Sequence, residues 1–572
     1  MRKNKINMLI LITILILVNF TSVTALNKKN NSYYCISDNY DPSTLYKTLN
    51  PDEHKDKTQY QIEKQNIIES ASINDDTLTW KRTFGEADED EGNSVQQTSD
   101  GGYILVGETL NEDWEDILLI KTDNYGDIVW ERTFGEPGIQ RDWGLSVIQN
   151  TDGDYVLTGM KGSLGVSWFD LCLIKVDPNG NTIWDSALLI DDFEWGKCIK
   201  QTSDGGYIIL GTIMSSKNGE GDVWLIKLDT NGKIKWQKTF GGDWVDWGEY
   251  VQQTKDGGYI ITARTHSFGA DGYNAWLIKT DENGNMIWNR TFGGNKDDIG
   301  KCVQQTSDGG FIIAGGIQFE DDRGGDAWLI KTNENGEEIW NRTFGGDKTD
   351  WADSVQQTSD GGYILTGGTQ SYGAGSYDLW LIKTDKEGRK IWDRTYGGND
   401  WDEGNSVQQT SDGGYIITGF TYSFCSDGND VWLLKTDENG LISNSPSKPS
   451  ITGSNLGKTG EEYEYSIFST DPEDDSIVFH INWGDNTEEK YGPYLSGETV
   501  KINHKWLKKG SYVITVKARD THGADSELTT YNVTMMKNKQ VSNKPFLRVV
   551  EIIKKCLLSI EPVFSVFKYL HC

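Results

Sequence analysis

Short runs of alternating apolar and polar side chains, each closed by a Gly-containing turn, recur along most of this chain. One unit shows the pattern. It opens at Trp288, ends its first run in Arg-Thr-Phe-Gly-Gly, passes an acidic loop, and continues as Val-Gln-Gln-Thr, Ser-Asp-Gly-Gly and Phe-Ile-Ile-Ala-Gly. A variable loop then leads to Ala-Trp-Leu-Ile-Lys-Thr, the turn Asn-Glu-Asn-Gly, and the next anchoring residue, Trp340. Runs of this length with period-two alternation mark strands, and Asp-Gly or Asn-Gly accepts the positive φ of a hairpin turn. Each unit therefore predicts four antiparallel strands. The anchoring residue recurs as Trp80, Trp130, Trp184, Trp236, Trp288, Trp340 and Trp392, a spacing that chance does not produce.

Four strands per unit of ~50 residues, repeated in tandem, is the pattern of a propeller blade array. The expected fold class is all-β: a seven-bladed β-propeller over 77–443, followed by a smaller β-sandwich. The run Thr77–Phe84 is a fourth strand with no earlier strands before it. The last unit has a third strand, Val431–Thr436, but its fourth, Leu441-Ile442-Ser443, lacks the Trp. The N-terminal strand is expected to complete the last blade and leave no open edge. The fourth-strand Trp residues, with Trp224, Trp276, Trp328, Trp380 and Trp432 of the third strands, are expected to pack as core between blades.

Outside the repeat the chain divides into further segments. Arg2, Lys3 and Lys5 precede the apolar run Met8–Val18 and the small-residue site Val23-Thr24-Ala25, so residues 1–25 read as a secretory signal. The apolar run is shorter than the ~20 residues that span a bilayer, which makes an uncleaved anchor the lesser reading. The body is therefore expected to be secreted or at the cell surface. Residues 26–76 are a polar, flexible segment, 444–450 a Pro- and Ser-containing linker, 451–536 a β-sandwich and 537–572 an amphipathic tail.

Within 451–536, the runs Trp483-Gly-Asp and Tyr-Val-Ile-Thr-Val-Lys-Ala-Arg-Asp-Thr-His-Gly, the second after Gly510-Ser, resemble the PKD (polycystic kidney disease) domain. That resemblance implies an extracellular spacer or adhesive module. It also implies calcium in some members, with Asp471, Asp474 and Asp475 as the candidates here; the alternative is that these residues shape a turn. Signal, propeller and PKD-like domain together resemble archaeal cell-surface proteins, whose short C-terminal segment the tail is similar to. In the tail, Phe546, Val549, Val550, Ile553, Leu557 and Ile560 fall on one helical face. It either lies on a membrane or docks on the protein, so the N- and C-terminal segments are the two candidate membrane contacts.

Charge narrows the partners. The chain has 55 Lys and Arg against 86 Asp and Glu, a net charge of -31. Such a surface repels nucleic-acid phosphates and anionic head groups, so no nucleic-acid partner is expected. Cations, sugars and basic protein surfaces remain. The 7 Cys are odd in number and irregularly spaced, which gives neither a disulfide framework nor a zinc site. The repeat region holds one His, His266, and no nucleophile elbow or metalloprotease motif, so no catalytic residue is assigned. The run Trp-Leu-Ile-Lys-Thr-Asp-Glu-Asn-Gly-x-x-x-Trp resembles the blade repeat of quinone-cofactor dehydrogenases. Those usually have eight blades and often a vicinal Cys pair, so the cofactor is not carried over.

Two connections in each unit vary, and they fall on one face: the loops near 108–115, 160–169, 264–273 and 420–429, and the inter-blade loops. Binding residues favour such loops on a rigid scaffold. Each inter-blade loop carries an acid five residues before the Val or Ile of the next strand: Asp90, Asp142, Glu194, Asp246, Asp298, Asp350 and Asp402. They read either as a cation ring, with calcium the candidate ion, or as caps of their own loops; capping is favoured, because a catalytic or metal group is rarely needed seven times. Trp143, Trp195, Trp247 and Trp351 follow these acids. Trp114, Trp168, Trp244 and Trp401 break the repeat, and Tyr273, Tyr372, Tyr377 and Tyr422 lie in variable loops. Exposed aromatics beside carboxylates suit sugar rings; the alternative, favoured for the four in-register Trp and evenly weighed for the four irregular ones, is packing between blades. The unrepeated loop arginines Arg141, Arg264 and Arg323 are candidate contacts for an anionic group; the favoured alternative is that they balance local acid. The expected protein is a monomeric, non-enzymatic surface protein that binds an extracellular carbohydrate or a cell-surface protein. A secreted carbohydrate-active or cofactor-dependent enzyme and a structural envelope component are the alternatives.

Overall fold

The computed structural model describes residues 26–29, 32–35, 78–85, 89–111, 114–135, 141–162, 169–188, 194–214, 221–318, 324–425, 428–537 and 548–555. The chain forms two units, Met1–Asp75 and Asp76–Cys572. In the first, the described residues are one antiparallel pair, Leu26–Lys29 with Ser32–Cys35. The signal segment and most of the polar segment 26–76 lie outside the described residues.

The second unit is all-β apart from a helix at 548–555. It contains seven four-stranded antiparallel sheets and a two-sheet C-terminal domain. Sheets I to VI each use four consecutive strands. In sheet IV these are Asp246–Gln253, Tyr259–Thr265, Asn274–Thr280 and Met286–Phe292. Sheet VII takes Asp402–Gln409, Tyr415–Thr421 and Asp430–Thr436 from the end of the repeat and Trp80–Phe84 from its beginning, with Phe84 paired to Val431. The expected N-terminal clasp is thus present as a strand pairing.

Burial within a sheet departs from simple alternation. Every residue of Asn274–Thr280 is buried, whereas Met286–Phe292 alternates between exposed and half-buried. Inner strands are covered on both faces, which is why Ala-Trp-Leu-Ile reads as a continuous apolar run. Trp224, Trp276, Trp328, Trp380 and Trp432 are accordingly buried. Of the fourth-strand Trp, only Trp80 is fully buried; Trp130, Trp184, Trp236, Trp288, Trp340 and Trp392 are half-buried. They lie against the turn of the next sheet. A Cβ on Gly284 would come 2.5 Å from Trp236, and Gly284 has φ +75°, so only Gly fits there.

Glutamines join neighbouring sheets. The turn after each first strand donates a backbone N–H to the last Gln of the next sheet's first strand: Ser99 to Gln149 at 2.8 Å, Ser203 to Gln253 at 2.8 Å, Ser307 to Gln357 at 2.8 Å. The same bond runs from Ser411 of sheet VII to Gln97 of sheet I at 2.9 Å. A second set runs the other way, with the amide N–H of Gln149 donating to Gln96 and that of Gln97 to Gln408.

The C-terminal domain packs the sheet Ser450–Gly453, Tyr463–Phe468, Val500–His504 against a five-stranded sheet ordered Leu456–Lys458, Thr529–Met536, Gly510–Asp520, Ile477–Asn482, Glu488–Tyr494. Its core includes Tyr465, Trp483, Trp506 and Val516. It also grips the repeat. Arg519 is buried and donates to both oxygens of Asp127 at 2.7 and 2.6 Å and to Asp525 at 2.6 and 2.8 Å. Arg82, in the clasp strand, pairs with the same Asp525 at 3.2 Å, and Thr79 N–H donates to the His522 carbonyl at 2.7 Å. All residues of the helix at 548–555 are exposed, Val549 and Ile553 included. Among the described residues no helix is long and apolar enough to cross a membrane.

Candidate functional site

Every sheet's first strand carries a β-bulge near its start. The register against the second strand skips Asn93, Leu145, Lys197, Glu249, Lys301, Asp353 and Asn405. A bulge re-aims its extra residue. Here the seven skipped side chains line one cavity of about 460 Å³, to which the first strand of every sheet contributes. Four of them are charged and alternate in sign. Lys301 Nζ lies 3.6 Å from Asp353, and Glu249 pairs with Arg264 at 2.9 Å. Next along the strands come Cys198, Tyr250 and Cys302, with the Lys200 ammonium 4.7 Å from the Tyr250 ring centre. Both thiols are free, and burial pushes that of Cys302 up to about 12.

A second cavity, about 380 Å³, adjoins the first on the side of the variable loops and shares Leu145, Lys197, Glu249 and Lys301 with it. Its size suits a small ligand. Trp143, Trp195 and Trp247 wall it, with Arg141 and Arg264 beside them. Each Trp follows a loop acid and is half-buried. Trp143 Nε1 donates to Glu115, and Trp195 meets Trp247 edge-on at 6.3 Å. Trp247 carries the Arg264 guanidinium 4.0 Å from its ring centre and stacks with Tyr273.

The repeat position of these Trp is taken by Glu91 in sheet I and Glu403 in sheet VII. Glu91 stands opposite Glu108 in the strand register, and the two carboxyls hydrogen-bond. Burial first, then the neighbouring Glu91, raises the Glu108 pKa well above the carboxylate range. Burial, then the charge of Asp353, pushes Glu403 up to about 8, although Trp351 and Trp401 donate to it at 3.0 and 3.1 Å. Sequence reasoning missed this acidic group. The signal available was the Glu standing where four other sheets carry Trp.

The structure gathers most of the predicted aromatics into two chains of ring contacts. Trp244 and Tyr273 flank His266 at 5.7 and 5.3 Å. Tyr377 bridges Trp351 and Trp401 at 5.1 and 5.4 Å, and Phe420 links Trp401 to Tyr422. Tyr372 lies against Trp380 instead. Trp168 and Arg323 lie outside the described residues. Trp114 begins the strand Trp114–Thr122, and its side chain is likewise outside them.

All seven loop acids are buried. Asp246 accepts from the backbone of Gly242 at 2.9 Å, Asp350 from Gly346 at 3.0 Å, Asp402 from Gly398 at 2.9 Å and Asp142 from Gly162 at 2.7 Å. Asp298 accepts from Gly294 and Gln318, while Asp90 and Glu194 are buried with partners of their own. Asp246, Asp298, Asp350 and Asp402 thus hold the loop at the entrance to their own first strand, and Asp142 ties its loop to the end of the second strand.

In the C-terminal domain, Asp471, Asp475 and Asp520 bring ligand oxygens within 4.8 Å of one another. Asp474 is not in this cluster; it is exposed, at φ 64°, and turns the loop. Asp520, distant in sequence, takes its place. Asp471 is buried, its Oδ2 has no hydrogen-bond partner among the described residues, and burial lifts its pKa to about 6. Three carboxylates, that of Asp471 with one oxygen unpartnered among the described residues, are oxygen ligands of the kind a hard cation such as calcium takes.

No protein-family model matches the chain, and no curated protein matches it. Among solved structures it is similar to the PKD domain of an M14-like peptidase from Thermoplasmatales archaeon SCGC AB-540-F20, with 42% sequence identity, 16% of this chain and 98% of that chain covered, and a TM-score of 0.16.

Proposed function

We propose that the chain is an exported, monomeric cell-surface protein whose seven sheets close into a seven-bladed β-propeller, and that the face of variable loops binds carbohydrate. Closure is supported by the Gln bonds that recur between sheets VII and I and by the cavity to which all seven first strands contribute. The C-terminal sandwich acts as a PKD-type spacer with a calcium site at Asp471, Asp475 and Asp520. The carbohydrate reading rests on one observation: a ligand-sized cavity walled by Trp143, Trp195 and Trp247 and flanked by charged groups. Indole faces stack on the apolar faces of sugar rings.

Glycan and cell-surface-protein arrays probed with the full chain test this. Glycans are expected to be retained, and Trp195→Ala should abolish retention without altering the unfolding transition. Retention of proteins alone, or of nothing, refutes the carbohydrate reading.

The Glu91–Glu108 pair favours a second reading, a carbohydrate-active enzyme, because two carboxyls set opposite each other in the strand register, one with its pKa raised by burial and by its neighbour, are the equipment of acid–base catalysis. Sugar release that Glu108→Gln abolishes would establish it. Binding without release leaves the protein a binder.

A further inference from the structure

We propose that Asn289 and Asn341, in the fourth strands of sheets IV and V, are N-glycosylation sites whose glycans guard two sheet edges. The proposal rests on the export reading above, because this modification belongs to exported chains.

The first observation is how the acceptors are presented. Asn289-Arg-Thr291 and Asn341-Arg-Thr343 fit the acceptor sequence Asn-x-Ser/Thr, with no Pro at x. They lie in Met286–Phe292 and Glu338–Phe344, each the end strand of its sheet. Pairing is regular across both, from Asn289 against Ile278 to Thr291 against Trp276, and from Asn341 against Ile330 to Thr343 against Trp328. Residues two apart in such a strand share a face. Asn and Thr are exposed in both. The carboxamide and the hydroxyl are therefore offered together. In a third sequon among the described residues, Asn532-Val-Thr534, the Thr is half-buried and its hydroxyl lies 3.3 Å from that of Ser511.

The local bonds tolerate the sugar. Asn289 Oδ1 accepts from Trp276 Nε1 at 3.2 Å, and Asn341 Nδ2 donates to Glu338 at 2.5 Å. The donor is an oligosaccharide carried as a lipid phosphate ester. Nδ2 attacks C1 of its first sugar, the C1–O bond to the phosphate breaks, and Nδ2 gives up one proton as the lipid phosphate leaves. Oδ1 and one N–H remain on each Asn, so both bonds can persist.

The second observation is what stands at this position elsewhere. The residue before the fourth-strand Trp is an exposed apolar one in five sheets: Val129, Ile183, Ile287, Ile339 and Ile391. An end strand with exposed apolar side chains invites pairing with another chain, and charge at the edge deters it. After the Trp, sheets I, II and VI carry a carboxylate, Glu131, Asp185 and Asp393. Sheet III has Lys235 in place of the apolar residue, and sheet VII has Lys81 after its Trp. Only sheets IV and V combine the exposed Ile with a neutral residue after the Trp, and that residue is the sequon Asn. The neighbouring Arg290 and Arg342 lie over the rings of Trp288 and Trp340. A hydrated glycan on Asn289 and Asn341 supplies the guard that the carboxylates supply elsewhere.

Peptide mapping by mass spectrometry, on the full chain isolated from its own cells, tests the assignment. The peptides holding Asn289 and Asn341 are expected to carry a glycan mass, and Asn289→Gln and Asn341→Gln should each remove it from its own peptide. Unmodified Asn at both positions overturns the proposal. If that unmodified chain is recovered outside the cytoplasm, the export reading stands and glycosylation alone fails; if it stays in the cytosol, export fails with it. Light scattering of the double variants tests the guarding role. The double Gln variant should self-associate more than the glycosylated chain, whereas Asn289→Asp with Asn341→Asp, which restores the carboxylate of sheets II and VI, should not. Both replacements can fold, since Gln237 and Asp393 accept from Trp224 and Trp380 in the same way. Equal scattering by all three proteins overturns the guarding role.

Discussion

Arg519→Ala is the most informative single change in this molecule. Arg519 belongs to the C-terminal sandwich, but half of its hydrogen bonds end on Asp127, in a turn of sheet I. The remainder go to Asp525, which also receives Arg82 of the clasp strand. Lys517 reaches the same Asp525 at 3.1 Å, so the cluster holds three cations and two carboxylates. Removing Arg519 takes from both carboxylates the partner that bridges them and leaves Arg82 and Lys517, with Asp525 nearly buried at 11% side-chain exposure. Breaking one partner of a buried pair costs about 3–5 kcal/mol. Arg82 and Lys517 stay to share the charge and the Asp127 side chain is 37% exposed, which places the expected loss at the low end, about 3 kcal/mol. Urea unfolding of the full chain at pH 7 measures it. A double-mutant cycle with Asp127→Ala isolates the contact between domains and should give a coupling of at least about 1.5 kcal/mol. A loss below about 0.5 kcal/mol, or strictly additive single and double changes, would refute the view that the sandwich fastens the clasp strand.

Three further outcomes are expected. Calcium should raise the unfolding temperature of the full chain, and Asp520→Asn should remove the shift while Asp246→Asn leaves it; no shift at millimolar calcium argues against a cation at either place. Burial, then Asp402, pushes the Asp378 carboxyl up to about 6, so its contribution to stability is present at low pH and lost as pH rises through 6. Asp378→Asn should then stabilise by at most about 2 kcal/mol at pH 8 and by little at pH 4 in calorimetric scans, and an equal gain at both would contradict that origin. Trp80→Ala removes a fully buried ring from the clasp strand and should cost about 3–5 kcal/mol and raise light scattering as Asp430–Thr436 loses its partner; a loss under 1 kcal/mol would mean the clasp is dispensable.

The strands, their four-fold grouping and the pairing of Trp80–Phe84 with Val431 were legible in the sequence, because turn chemistry and a fixed repeat specify local hairpins. The sequence pattern places the seven acids in the inter-blade loops; the structure sets Asp90, Glu194, Asp246, Asp350 and Asp402 one step further, at the first residue of a strand. What escaped was chemistry set by bulges and by contacts between distant segments. Lys197, Glu249, Lys301 and Asp353 occupy one repeat position, but only the bulge turns that position inward. Glu91 meets Glu108 through strand register, and Asp520 replaces Asp474 through the folding of the sandwich. No local pattern links Arg519 to Asp127 across 392 residues. The in-register Trp residues show the limit of reading repetition as architecture. Three of them wall the cavity that the proposed function depends on.

The glutamine bonds between sheets carry a consequence for how such a chain changes over generations. The joints whose bonds are described here are built alike, including the one that brings together residues from the two ends of the repeat. A duplicated or exchanged unit would therefore arrive already fitted to both neighbours, whatever its loops contain. The variable side, freed from the task of assembly, can drift in sequence and length without loosening the rest. New specificities in such a chain would arise by shuffling interchangeable cassettes as readily as by substituting residues within one.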